Sequence, residues 1–223
     1  SGQPLRRSVM KLVLLSGGVD SSTALALALS QDPQVEAISF SYNQKHKELE
    51  LEAARKIAAY YKVPHQILDV TSVFSGSKSS LNAGNDMEVS TGDYATQTEA
   101  NTEVEFRNGI FISILAGIAM QKGASEIYFG AHLDDSGVIY PDCSPEFIKA
   151  MNQAVQLGSG GKVRLTAPFG QVKKKDIVTK GVELGVPYEL TYSCYNGVYP
   201  PCGKCGTCID RNKAFLANGL EIL

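Results

Sequence analysis

No stretch of the 223-residue chain comes near 18 consecutive apolar residues, and runs such as Leu12 to Leu15 are strand-sized, which excludes a membrane-spanning helix. A charge excess is missing too. With 21 Lys plus Arg against 23 Asp plus Glu the formal net charge is −2, so nothing draws the whole chain toward nucleic acid. The basic Arg6-Arg7 start lacks the apolar stretch and cleavage site of a signal peptide, and residues 1 to 9 are expected to form a tail outside the fold. Five cysteines are too few for a secreted disulfide scaffold, and four of them crowd near the carboxyl end, which points to metal and to a reducing, cytoplasmic compartment. Internal repeats and an interdomain linker are absent, so residues 10 to 223 are expected to make one domain.

What is present alternates. Met10 to Leu15 reads as a buried strand, and a helix is expected over Thr23 to Leu29, with Asp20, Ser21 and Ser22 as caps. Val35 to Tyr42, His65 to Val70, Glu126 to Phe129 and Val163 to Ala167 read as further strands. Apolar residues at helical spacing over 47 to 61, Phe106 to Met120 and Lys174 to Leu184 predict helices between and after them. Strand and helix in turn favour an α/β fold: a doubly wound, mainly parallel sheet with helices on both faces. Thr71 to Thr102, rich in Ser, Thr, Gly, Asn and Asp, is too long for an ordinary connection and is expected to be a mobile lid or insertion; a surface excursion with no role in binding is the alternative.

Between the first strand and the first helix lies Leu15-Ser16-Gly17-Gly18-Val19-Asp20-Ser21-Ser22-Thr23. Glycines let backbone N–H groups close around phosphate oxygens, the serine hydroxyls add donors, and the helix N-terminus adds positive potential. The Walker ending Gly-Lys-Ser/Thr and the Gly-x-Gly-x-x-Gly fingerprint are both absent. Farther on, Cys194, Cys202, Cys205 and Cys208 form C-x7-C-x2-C-x2-C, a ligand set for structural tetrahedral Zn²⁺, which makes about 188 to 223 a metal-binding element. An iron–sulfur cluster would use the same four thiolates. Cys143 is left over and reads as a small buried thiol.

Ser-Gly-Gly-x-Asp-Ser after a first strand resembles the pyrophosphate loop of the N-type ATP pyrophosphatases, whose fold is that of the adenine nucleotide alpha hydrolases. Together with Tyr42-Asn43-Gln44-Lys45-His46, Arg107-Asn108 followed by Phe111, Tyr140-Pro141-Asp142-Cys143 and the cysteine run, the chain from Met10 to about Gly219 resembles the 7-cyano-7-deazaguanine synthases of the QueC type. It departs from them at Asn43, where the family often has Gly, at Glu105, where it often has Pro, and in a longer Asp134 to Ile139 segment.

The resemblance implies an ATP-dependent ligase of queuosine biosynthesis that turns 7-carboxy-7-deazaguanine and ammonia into the nitrile through an adenylylated acid and an amide. It further implies ATP with Mg²⁺ on the Leu15 to Thr23 loop and a homodimer, with neither nucleic acid nor membrane as partner. Gln44 and His46 would meet adenine or ribose, although His46 could equally be a helix cap; His65 and His132 are weaker candidates. Lys174, or its neighbours Lys173 and Lys175, would meet the developing pyrophosphate charge, unless these lysines only start a solvated helix. Arg107 would grip a carboxylate or phosphate, Asn108 a purine-like edge, and Asp142 the deazaguanine amine, its turn-forming role being the rival. A related adenylylating enzyme acting in tRNA thiolation or in joining a deazaguanine to a protein amine is the alternative reading.

Overall fold

A computed structural model describes residues 9–97, 101–132 and 140–222; readings that fall on 1–8, 98–100 and 133–139, including most of the expected tail and the Asp134 to Ile139 departure, lie outside the described residues. Five parallel strands, β1 (Lys11–Leu14), β2 (Val35–Ser41), β3 (His65–Asp69), β4 (Glu126–Tyr128) and β5 (Arg164–Thr166), form one sheet in the order β3-β2-β1-β4-β5. Lys11 lies opposite Val35 on one side and Glu126 on the other. The helices are α1 (Val19–Gln31), α2 (Lys47–Tyr61), α3 (Arg107–Lys122), α4 (Pro145–Gly158), α5 (Lys174–Glu183) and α6 (Gly206–Ala217).

The period of two in the strands sorts the core into two layers. Leu12, Ile38, Phe40 and Ile127 pack against Phe111, Ile112 and Leu115 of α3 and Val155 of α4. Val13, Ala37 and Tyr128 face the other way, onto Leu25 and Ala28 of α1 and Ala54 and Ile57 of α2. Side chains such as Leu12, Ile38 and Ile127 have no exposure, and each contributes roughly 1.5–3 kcal/mol by burial. Outside α1, Val178 of α5 and Ala214 and Phe215 of α6 make a smaller cluster with Val19 and Ala26.

One expectation is overturned, and two further helices appear. Asp20, Ser21 and Ser22 do not cap α1, which already begins at Val19 with Gly18 as its N-cap and no side-chain cap bond; they lie inside its first turn. Helices α4 and α6 were not anticipated. Between β3 and α3, Thr71–Phe74 and Tyr94–Thr96 form short 3-10 turns, and Phe74, Leu81 and Val89 enter the α3-side core. That segment is tied to the turn after β2 by Lys45 N–H to Leu81 O (2.7 Å) and Ala83 N–H to Asn43 O (2.8 Å).

Candidate active site

The chain leaves β1 through Ser16-Gly17-Gly18 and enters α1 at the carboxyl end of the sheet, beside the β1–β4 junction where strand order reverses. Ligands bind at such a place in open parallel sheets. Gly17 sits at φ +79°, and a Cβ there would meet Ala54 N at 2.5 Å and Glu50 O at 2.7 Å, so this glycine serves the approach of α2. The turn is shaped by its own hydroxyls: Ser16 N–H donates to Ser21 Oγ (3.1 Å), the two Oγ atoms are 2.9 Å apart, and Ser21 Oγ–H donates to Gly18 O (3.3 Å). Tyr192 N–H, from the cysteine element, holds Gly17 O at 2.9 Å.

Over this turn lies a cleft of about 240 Å³ lined by Leu15, Ser16, Gly18, Val19, Asp20 and Ser21 of the loop. Gly17, Ser22 and Thr23 are not on its wall. Ser22 is fully buried, and Thr23 Oγ1–H donates to Val19 O (2.8 Å) while meeting Tyr188 OH at 2.9 Å. Asp20 Oδ2 faces Lys174 Nζ at 2.5 Å and His132 Nε2 at 3.5 Å, and Lys174 Nζ lies 4.0 Å from Asp210 Oδ2. Burial pushes the Asp20 carboxyl up, but Lys174 and His132 outweigh it and hold it below the usual carboxylate range. Asp20 Oδ1 is buried with no hydrogen-bond partner among the described residues, which leaves it open to a cation or a donor in the cleft. Of the three neighbouring lysines, Lys174 lines the cleft, while Lys173 and Lys175 are exposed.

A second set of side chains shares the cleft. Arg107, the first residue of α3, donates from Nη1 to Tyr42 OH at 2.9 Å. Burial lowers its pKa, yet Tyr42, Tyr195 and Asp142 raise it by more, so the guanidinium stays charged. Burial drives the Tyr42 hydroxyl up to about 12, and the Tyr94, Tyr140 and Tyr195 hydroxyls also rise through burial, so these phenols remain protonated. Asn108 donates from Nδ2 to Cys143 Sγ at 3.2 Å, and both line the cleft. Asp142 is not on the wall; its Oδ2 accepts Asn108 N–H (2.9 Å) at the start of α3.

Gln44 is also off the wall: it accepts Tyr42 N–H at 2.9 Å and donates to Phe40 O (3.2 Å) and Glu50 Oε2 (2.7 Å), holding the turn into α2. His46 occupies the α2 N-cap without a side-chain cap bond and does line the cleft, 3.6 Å from Glu50 Oε2 and with its ring 5.2 Å from that of Tyr195. Burial lowers its pKa despite Glu50, so the neutral ring is favoured. Glu50, Tyr94 and Asp210 belong to the wall without having stood out in the sequence, and His132, a weaker candidate there, joins them. Each comes from a different element, and only tertiary structure gathers them.

The four thiolates do converge. The Sγ atoms of Cys194, Cys202, Cys205 and Cys208 lie within 4.8 Å of one another and can hold a metal ion. Backbone N–H groups already orient them, Cys202 N–H toward Cys194 Sγ and Cys205 N–H toward Cys202 Sγ, each at 3.4 Å. Cys143 is not part of this group.

The same chain carries these features into comparison with known proteins. Residues 10–219 match the family model of the queuosine biosynthesis protein QueC. The chain is 44% identical over 211 residues to a 7-cyano-7-deazaguanine synthase of Archaeoglobus fulgidus, covering 94% of this chain and 87% of that one. It is 43% identical to the one of Caldicellulosiruptor bescii, covering 94% of each. Among solved structures, an NMN synthetase of Francisella tularensis shares the fold, with a TM-score of 0.52 at 14% identity over 97% of this chain and 80% of that one. A family model that spans the loop, the cleft and the cysteine element, with relatives above 40% identity over nearly the whole length, establishes that this chain belongs to the QueC family.

Proposed function

We propose that this chain converts 7-carboxy-7-deazaguanine and ammonia to 7-cyano-7-deazaguanine, using ATP twice. The observation that carries the reading is one cleft holding both a serine–glycine turn with the Asp20–Lys174 pair and a cationic, tyrosine-lined set around Arg107. A carboxylate is a poor electrophile; its oxygen attacks the α-phosphorus of ATP, the P–O bond to pyrophosphate breaks, and pyrophosphate leaves onto the Ser16 to Ser21 turn. Lys174 stabilises the charge that develops there, and Asp20 Oδ1, with phosphate oxygens, would hold Mg²⁺, which neutralises that charge. Arg107 fixes the substrate carboxylate. Ammonia then displaces AMP and loses a proton, giving the amide. The amide oxygen attacks the α-phosphorus of a second ATP, pyrophosphate again leaves as the P–O bond to it breaks, and loss of AMP and the two remaining N–H protons leaves the nitrile.

Four sulfurs around a single Zn²⁺ at about 2.3 Å would stand roughly 3.8 Å apart. The Cys202–Cys208 separation of 4.0 Å suits one ion, and zinc at Cys194, Cys202, Cys205 and Cys208 would tie α6 to the domain. None of the five cysteines is in a disulfide, which fits a reducing cytoplasm, and the family resemblance supports a homodimer. Among the described residues no helix is long and apolar enough to cross a membrane.

Mass spectrometry of the protein with Mg-ATP, ammonium and 7-carboxy-7-deazaguanine tests the reading. Nitrile appearing with two AMP per turnover is the expected result. Absence of AMP from a folded, metal-loaded protein would overturn it.

A further inference from the structure

The wall that carries Tyr94 is built by segments outside the sheet. From the stretch between β3 and α3, Thr91 pairs antiparallel with Cys205, and Gly92 N–H donates to Lys204 O at 3.0 Å. This clamp lays Tyr94, 7% exposed, across Gly206, the first residue of α6. A Cβ on Gly206 would stand 2.5 Å from Tyr94 Cζ and 2.6 Å from Cε1, so a glycine is what lets the ring lie there. Cys205 immediately precedes Gly206 and Cys208 follows within one turn; both belong to the thiolate cluster. On its other side Tyr94 meets Tyr140, with hydroxyls 3.3 Å apart and rings edge to face at 6.1 Å, and Tyr140 OH is 2.6 Å from Thr102 Oγ1. Tyr94 and Tyr140 both face the cleft, beside Arg107 and Tyr195.

We propose that Tyr94 is a substrate-binding wall of the nucleobase subsite and that Gly206, by the space it leaves, couples the geometry of the thiolate element to the fit of the heterocycle. The inference rests on the function proposed above and extends it to a residue of the long β3–α3 segment. The physical basis is direct. A flat π system is held by aromatic edges and faces, and each such contact is lost when the ring moves by more than a fraction of its contact distance. The phosphate turn is shaped by Ser16, Gly18 and Ser21 and makes no bond to Tyr94, so the two ligands should respond differently.

Gly206→Ala is the test, because alanine is at least as good as glycine in a helix and the atoms nearest the new methyl are all of the Tyr94 ring. By calorimetry, Kd for 7-carboxy-7-deazaguanine should rise about tenfold or more while Kd for ATP stays within about twofold. Metal content should stay at the wild-type value. Tyr94→Ala should weaken the nucleobase in the same way, and adding Gly206→Ala to it should cost nothing further, since no ring remains to be displaced. Unchanged nucleobase affinity in Gly206→Ala or in Tyr94→Ala, with metal content and ATP binding intact, would overturn the inference. A wild-type protein that binds ATP but not the deazaguanine would overturn the proposed function itself and this inference with it, and the wild-type titration tells the two failures apart.

Discussion

In the proposed reaction Lys174 Nζ, 2.5 Å from Asp20 Oδ2, meets the developing pyrophosphate charge, so its removal should act on the chemical step. Lys174→Met is expected to lower kcat by about 10²–10³-fold, the range for losing one preorganised donor, when AMP release is followed under saturating substrates. An unchanged kcat would refute that role. The same pair sets an acid limit. Because the folded Asp20 carboxyl lies below its ordinary 3.8, its ionisation supports the fold fully above that value and the support is lost as pH falls toward the folded pKa. In Lys174→Met burial acts with less opposition, and the midpoint of acid unfolding should move to higher pH. His46 and His65, both lowered by burial, act near neutrality: protons bind the unfolded chain more readily, so stability is full above 6.5 and declines below it. Tm should fall between about pH 7.5 and about pH 5.5, and His65→Gln should flatten part of that slope in a thermal melt series. At this scale the loop and the cysteines were legible because they are contiguous motifs. Glu50, Tyr94 and Asp210 were not, and His132 stood out only weakly, because what brings them to one cleft is the crossing of separate elements.

Elements were legible where apolar period and length agreed, as in the five strands and in α2, α3 and α5. Helix α4 was missed although its signal is present: Ser144 accepts Phe147 N–H at 3.1 Å as N-cap, Pro145 opens the helix, and Phe147, Ile148, Met151 and Val155 share the core-facing side. Ser144→Ala should cost about 1 kcal/mol of unfolding free energy in urea titration, with no change in ATP affinity. Helix α6 was hidden by its start, where Gly206 and the cysteines read as turn and ligands. Asn43 adopts φ +66°, a left-handed conformation that Asn tolerates better than most residues and that glycine would take without strain. Gly17 has no such latitude, since it combines φ +79° with backbone atoms of α2 within 2.7 Å of any Cβ. Gly17→Ala should destabilise by more than about 1 kcal/mol, the price of the left-handed conformation alone, and should weaken ATP because α2 and the turn can no longer meet.

At the scale of the molecule, the sheet builds the floor of the cleft and the cysteine element closes one side of it, contributing Tyr192, Ser193, Tyr195, Thr207 and Asp210. That element is fastened by Arg211, which donates to Thr191 Oγ1 (2.8 Å) and Tyr188 O (3.1 Å), by Phe215 in the α1–α5–α6 cluster, and by whatever ion the thiolates hold. Tyr192 N–H on Gly17 O and the Thr91–Cys205 and Gly92–Lys204 pairings anchor it further, but the thiolates lie together at its centre, so a metal there should add to both stability and binding. Cys202→Ser should lose metal and lower Tm, whereas Cys143→Ser, which changes a thiol outside the cluster, should keep the wild-type metal content. Linkage then fixes a further outcome. If metal tightens the wall that the ligands use, bound ligands must tighten the hold on metal by the same factor. Adding ATP and 7-carboxy-7-deazaguanine together should therefore slow transfer of the metal to a chromogenic chelator, and more than either does alone if the wall contacts both. Equal transfer rates with and without ligands would show that the thiolate element and the cleft share a surface without sharing free energy.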